Sequence, residues 1–252
     1  MKSSGPAALA LLSLALASCS TSTITVGLDN ARFQNGYLNS KLISPGTLLL
    51  VDPAAADDKK LTLLPSPDIA NNSLVSGPGG TELISSASSG LAISGAVPAG
   101  GVPAEVQANI AKQTSVTLKQ FVSSRFSDPE FILNEADYAT HRTELGQQYA
   151  GAPGVRFLFI AGATKADEVH ISSGTPEGKD NGLVVSVAGK DYKVTFTSAK
   201  EASWQGQKEP VFIQPRLYKL VRDGNGGTGY RFVEDRSSRI DITGALNNAS
   251  TF

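Results

Sequence analysis

The 252-residue sequence predicts an α+β fold: a mostly antiparallel β-sheet with two central helices packed on one face. Three observations carry that expectation. The C-terminal third alternates apolar and polar residues around polar turns, as half-buried strands do. The stretch "VRFLFIAGA" (155–163) puts large apolar side chains on both faces, as a central strand does. Just ahead of it, residues 103–150 hold two runs with apolar side chains at helical spacings of three and four. With 40% apolar and 18% charged residues, the chain has the composition of one that buries a core.

Residues 1–18 read as a removable leader. Met1-Lys2 supplies a short positive start, residues 3–18 carry no charge, and a Leu/Ala block over 9–16 ends in the small Ala17 and Ser18. That is the anatomy of a signal peptide, and its apolar part is too short for a membrane span of roughly 20 residues. The only cysteine of the chain follows at once. Leu16-Ala17-Ser18-Cys19 resembles the lipobox of bacterial lipoproteins. The resemblance implies that the Cys19 thiol receives diacylglycerol and becomes an acylated N-terminus, and that Ser20 favours passage to the outer membrane in a Gram-negative cell. The partner it implies is membrane lipid. Each buried acyl methylene contributes about 0.8 kcal/mol, so several chains on one residue hold a domain at a bilayer without a transmembrane helix. One cysteine also excludes an intrachain disulfide and a cysteine-based zinc site.

After the leader, residues 19–30 are expected to be the lipidated N-terminus and a short tether, and 31–252 a single domain. Small polar residues suit a tether, although "TITVGL" (23–28) already has the composition of a strand. "GTLLLVD" (46–52) and "KKLTLLPS" (59–66) flank the turn-prone "PAAADD" and predict a hairpin, its first strand covered on both faces. Residues 71–101 are rich in Ser and Gly, a composition that reads as a flexible surface loop. Within it, "LAISGAV" (91–97) alternates large and small residues and predicts a strand.

Pro103 opens the first predicted helix, 103–126, with Val106, Ile110, Thr114, Leu118, Phe121, Val122 and Phe126 on one stripe. Asp128, an N-cap followed by Pro129, opens the second, whose apolar residues Phe131, Ile132, Tyr138, Leu145 and Tyr149 run to the stop at Gly151-Ala152-Pro153-Gly154. The two are expected to form a helical pair over the sheet. Beyond the central strand, "LVVSV" and "YKVTFTS" predict a hairpin, and "PVFIQP", "RLYKLV" and "YRFVED" predict further strands.

No motif in the mature chain announces chemistry. "GNGGTG" (224–229) spells a dinucleotide fingerprint, but a strand-like "YRFV" follows where a helix is required, so a hairpin loop is expected and no cofactor. Asp223 and Asn225 in the same stretch lack the later acidic ligands of a calcium loop, and no metal is expected. Asp137, His141 and Glu144 recur at spacings of four and three on the second predicted helix, a pattern that presents two or three metal ligands, an acid–base pair, or merely a solvated face. His170 sits beside acidic neighbours in "DEVHIS", and Trp204 lies in a polar stretch as a folded-in loop residue or a stacking platform. The sequence has no G-x-S-x-G elbow and no S-x-x-K. A net charge of −1 and a pI near 6.1, with Lys and Arg scattered, argue against a nucleic-acid partner. These readings favour a membrane-anchored envelope lipoprotein that binds or supports an envelope protein or glycan. The alternative is an anchored hydrolase of glycan or peptide using dispersed carboxylates (Glu130, Glu135, Asp137, Glu144) or His141.

Overall fold

The computed structural model describes residues 22–39, 43–56, 60–69, 74–89, 91–95, 102–173, 182–187, 190–197, 210–224, 229–238 and 240–248. The first strands are β1 (Ser22–Gly27), β2 (Arg32–Phe33), β3 (Gly36–Leu38), β4 (Leu48–Val51) and β5 (Leu61–Leu64), followed by the long β6 (Leu74–Ser89) and β7 (Ala92–Gly95). Helix α1 (Ala104–Gln113) runs straight into β8 (Thr114–Phe126). Next come α2 (Pro129–Asn134), a 3-10 turn at Ala136–Tyr138 and α3 (Ala139–Tyr149). The remainder is β9 (Arg156–Lys165), β10 (Glu168–Ser173), β11 (Gly182–Val187), β12 (Lys190–Thr197), β13 (Pro210–Arg222), β14 (Tyr230–Glu234) and α4 (Ile242–Asn248).

The fold is strand-rich, with one large antiparallel sheet and a few helices. Part of that sheet closes on itself. β8 pairs with β6, β6 with β2, β2 with β3, β3 with β13, β13 with β9, and β9 returns to β8, giving a ring of six strands. β9 makes this possible by sharing one edge between two neighbours: residues 156–159 pair with β4, and 162–165 pair with β8. A separate four-stranded sheet has the order β11-β12-β1-β7, and its β1–β12 pair is parallel.

The hydrophobic runs account for the core. Leu48–Val51 is buried at all four positions, and Phe157–Thr164 of β9 at all eight, because both have packing on both faces. On one face Phe157, Phe159 and Ala161 join Leu48, Leu50, Tyr218, Phe232 and the buried residues of α2. On the other, Leu158 and Ile160 join Leu49, Val51, Ile213 and Leu246 of α4. A further cluster gathers Phe33, Leu38, Ala87, Val116, Leu118 and Phe212 with Val106 and Ile110 of α1. The hairpin of β4 and β5, the strand within 91–97, the β11–β12 hairpin and the central strand stand as predicted. "PVFIQP" and "RLYKLV" merge into the single strand β13, with a register shift between Gln214 and Pro215.

The two-helix cover is corrected. The first helix stops at Gln113, where the Thr114 hydroxyl donates to the Ile110 carbonyl at 2.7 Å and the backbone turns extended. From there a run rich in β-branched and aromatic residues pairs with β6 and β10. Thr114, Val116 and Leu118 point inward with period two; Gln120, at φ +50, then shifts the alternation so that Phe121 joins Val116 and Leu118 in their cluster, while Phe126, five residues on, is buried in a different one. The shift lets a strand imitate a helical stripe, and it leaves Val122 54% exposed. The second predicted helix starts at its Asp128 cap, which accepts from the Phe131 amide at 2.9 Å, but breaks at Glu135 into α2, the 3-10 turn and α3. α1 and α2 belong to different core clusters, so they are not a pair on one face.

The loop reading of 71–101 is corrected for residues 74–89, which are strand β6. Its Ser and Gly residues bury little, and the backbone ladder to β8 from Leu74–Phe126 to Ser86–Ser115 holds it in place. Gly80 yields its side-chain space to the Phe121 ring, where a Cβ would sit 3.1 Å away. Strand β1 starts at Ser22, inside the 19–30 segment.

Candidate functional site

The helical residues singled out by spacing do not converge. His141 Nδ1 lies 3.5 Å from Glu144 Oε2 on exposed α3, while Asp137 sits in the preceding 3-10 turn, off that helix and exposed. Among the described residues no three His, Cys, Asp or Glu side chains gather as a metal site. His170 meets Glu168 at 3.4 Å on an exposed strand face. Cys19, Ser20, Trp204, Asn225 and the Gly226-Gly227 centre of "GNGGTG" lie outside the described residues. That string connects β13 to β14 as an antiparallel hairpin, closed by the Asp223 amide on the Gly229 carbonyl at 3.0 Å.

The carboxylates and arginines around α2 form a seam. β14 pairs with β13 along one edge, and its other edge is capped by helix side chains. Arg142 Nε donates to the Tyr230 carbonyl at 2.7 Å. Asn134 gives Nδ2 to the Phe232 carbonyl at 2.9 Å and takes the Phe232 amide at 2.8 Å. Glu130 Oε2 accepts from the Glu234 amide at 3.2 Å. An open edge of alternating amides and carbonyls is thus satisfied at residues 230, 232 and 234, which blunts it toward foreign strands. Glu234 in turn is held by Arg236 at 2.8 Å and Arg216 at 3.6 Å. Glu130, Asn134, Arg216, Glu234 and Arg236 line a cleft of about 490 Å³, in which Glu130 and Glu234 are already committed. Below them the Tyr218 phenol is pushed up, first by burial and then by Glu234 and Glu130, and stays protonated.

A second cleft, of about 660 Å³, opens where two strands part. β9 pairs with β13 only as far as Phe157–Tyr218, while β14 follows β13 on its other side through Arg222. Lys219–Arg222 therefore face the Ala150–Val155 loop across a gap. Among the described residues the gap's charged lining is Arg156, Lys219 and Arg222, with no Asp or Glu. Of the three, Arg156 alone has an ionic partner among the described residues: its Nε meets Asp235 Oδ2 at 2.5 Å, and its Nη1 donates to the Val155 carbonyl at 2.7 Å. Gly146 of α3 lets the Tyr230 ring, also in the lining, press against the helix. No local signal marks this cleft in the sequence, because its cations are dispersed in strands that read as plain core.

No protein-family model and no curated protein matches this chain. Among solved structures it is similar to a bacterial gasdermin from Bradyrhizobium tropiciagri, with a TM-score of 0.30 and 10% identity over 76% of this chain and 82% of that one. A superposition that loose carries no argument about this chain.

Proposed function

We propose that this protein is a lipid-anchored lipoprotein of the cell envelope whose body binds or braces an envelope protein or glycan and performs no chemistry. The observation that supports this reading is how close to Cys19 the sheet begins along the chain. Strand β1 opens at Ser22, so only Ser20 and Thr21 separate the acylated Cys19 from a hydrogen-bonded sheet. Three peptide links reach about 10 Å when fully extended, which seats that end of the four-stranded sheet against the headgroups. A binding role is favoured over hydrolysis because Glu130 caps a strand edge, Glu234 is held by two arginines, and His141 lies between the exposed Glu144 and the Tyr138 ring.

The test is metabolic labelling with a fatty-acid analogue, followed by membrane fractionation. The natural chain is expected to label and sediment with membranes. Cys19→Ala is expected to stay unlabelled and to be released or left unprocessed, since no helix among the described residues is long and apolar enough to cross a membrane. Labelling that persists in Cys19→Ala would overturn the anchor.

A further inference from the structure

We infer that the cleft beside α2 is a binding site for a neutral glycan, with the Phe131 ring as its stacking platform. The inference rests on the binding role proposed above and not on the anchor. Phe131 is the only aromatic among the large apolar side chains exposed in the described residues; it is 62% exposed, while its neighbours Ile132 and Leu133 are buried. α2 packs through those neighbours and needs no ring at 131 to do so. That ring borders the cleft of about 490 Å³. The opposing groups are placed by strand geometry. Arg216 and Tyr218 are two apart on β13, and Glu234 is the cross-strand partner of Tyr218 on β14, so all three side chains leave the same face of the sheet. Arg236 joins them by donating from Nε and Nη2 to Glu234 Oε2, at 3.0 and 2.8 Å.

The balance of charge selects the ligand. Glu234 answers both arginines, Glu130 Oε2 accepts from the Glu234 amide, and Asp128 accepts from the Phe131 amide. Over Asp128, Glu130, Glu234, Arg216 and Arg236 the formal sum is −1, so an anion meets no net attraction here. What the cleft offers instead is a set of fixed hydrogen-bonding groups. A carboxylate and a guanidinium each have more acceptor or donor sites than these pairings use, so capacity of both kinds is left over. The same contacts that withhold the carboxylates from proton transfer hold them still as acceptors. A pyranose matches such a lining, because each of its hydroxyls both donates and accepts while the C–H face of the ring is apolar enough to lie on an exposed aromatic. The volume falls in the range of small-molecule sites.

The experiment is calorimetric titration of the full chain, in a neutral detergent that carries no sugar, with maltotriose, cellotriose, mannotriose and tri-N-acetylchitotriose, and with trigalacturonate as the anionic counterpart. At least one neutral trisaccharide is expected to bind saturably, with an affinity that salt barely changes. Phe131→Ala should weaken that binding about tenfold or more, and Phe131→Trp should keep it by offering a larger ring. Because Phe131 is exposed, neither variant should shift the melting temperature. Ile84→Ala truncates a comparably exposed apolar residue on β6, away from the cleft, and should leave affinity unchanged. The inference fails if no neutral trisaccharide binds at millimolar concentration, if trigalacturonate binds as tightly as the best of them, or if Phe131→Ala binds like the parent. The bound sugar should be recovered intact; its cleavage would keep the site and overturn instead the reading that this body performs no chemistry.

Discussion

A methyl group at residue 146 has nowhere to go. A Cβ built on Gly146 would lie 2.1 Å from Tyr230 Cγ, with the rest of the ring close behind. In an open helix Gly→Ala would gain about 1 kcal/mol. Here overpacking costs about 1–3 kcal/mol or more, and it wins because Tyr230 is buried and has Gly146 as its floor. Gly146→Ala should therefore lower stability in urea unfolding, and a stabilised variant would refute the packing. Asp235 makes a second residue-scale prediction. Its carboxyl is held below the usual range chiefly by the Ser237 hydroxyl, with Arg156 and the Ser237 amide adding to it and burial opposing. A carboxyl depressed in the folded state stabilises fully above its unfolded pKa of about 4 and loses that contribution as pH falls toward its folded value. Urea unfolding at pH 7 and pH 3 should show the parent losing more stability on acidification than Asp235→Asn.

At the scale of elements, β14 depends on side chains borrowed from α2 and α3. Removing the Asn134 amide leaves the Phe232 N–H and C=O without their caps, at a cost of about 1–3 kcal/mol for such groups. Asn134→Ala should lower the unfolding free energy by that amount, and with it the midpoint, and raise the tendency to associate through the opened edge, read by light scattering. An unchanged midpoint would show that water replaces the amide at no cost. The elements also show what the sequence could and could not reveal. Leu48–Val51 and β9 were legible because burial on both faces writes an unbroken apolar run, and α2 because Asp128-Pro129 is a local start signal. β6 was not, since backbone pairing forms it and its Ser and Gly say nothing about a partner. β8 was misread because Gln120 changes the period halfway along. The cleft beside Lys219–Arg222 was invisible for another reason: its walls come from α3, β9 and β13, which are brought side by side only by tertiary pairing.

Across the whole molecule, closure of six strands through two segments as short as β2 and β3 concentrates stability where β9 and β13 lie side by side. Native-state hydrogen exchange should find the slowest amides in Phe157–Ala161 and their β13 partners, and faster ones in β6 around the register shift between Ser76 and Gly79. Equal protection in the two would contradict this distribution. The smaller sheet raises a question of timing. β1 lies parallel to β12, with Val26 opposite Phe196, so partners about 170 residues apart must meet. Closing a loop of that length costs about 4–5 kcal/mol of chain entropy. β7 can pair with β1 early, but the other edge of β1 waits for residues made about 170 positions later. The strand nearest the chain's start is thus among the last to be completed, and a chain halted before Thr197 leaves it half paired and open to whatever else offers an edge.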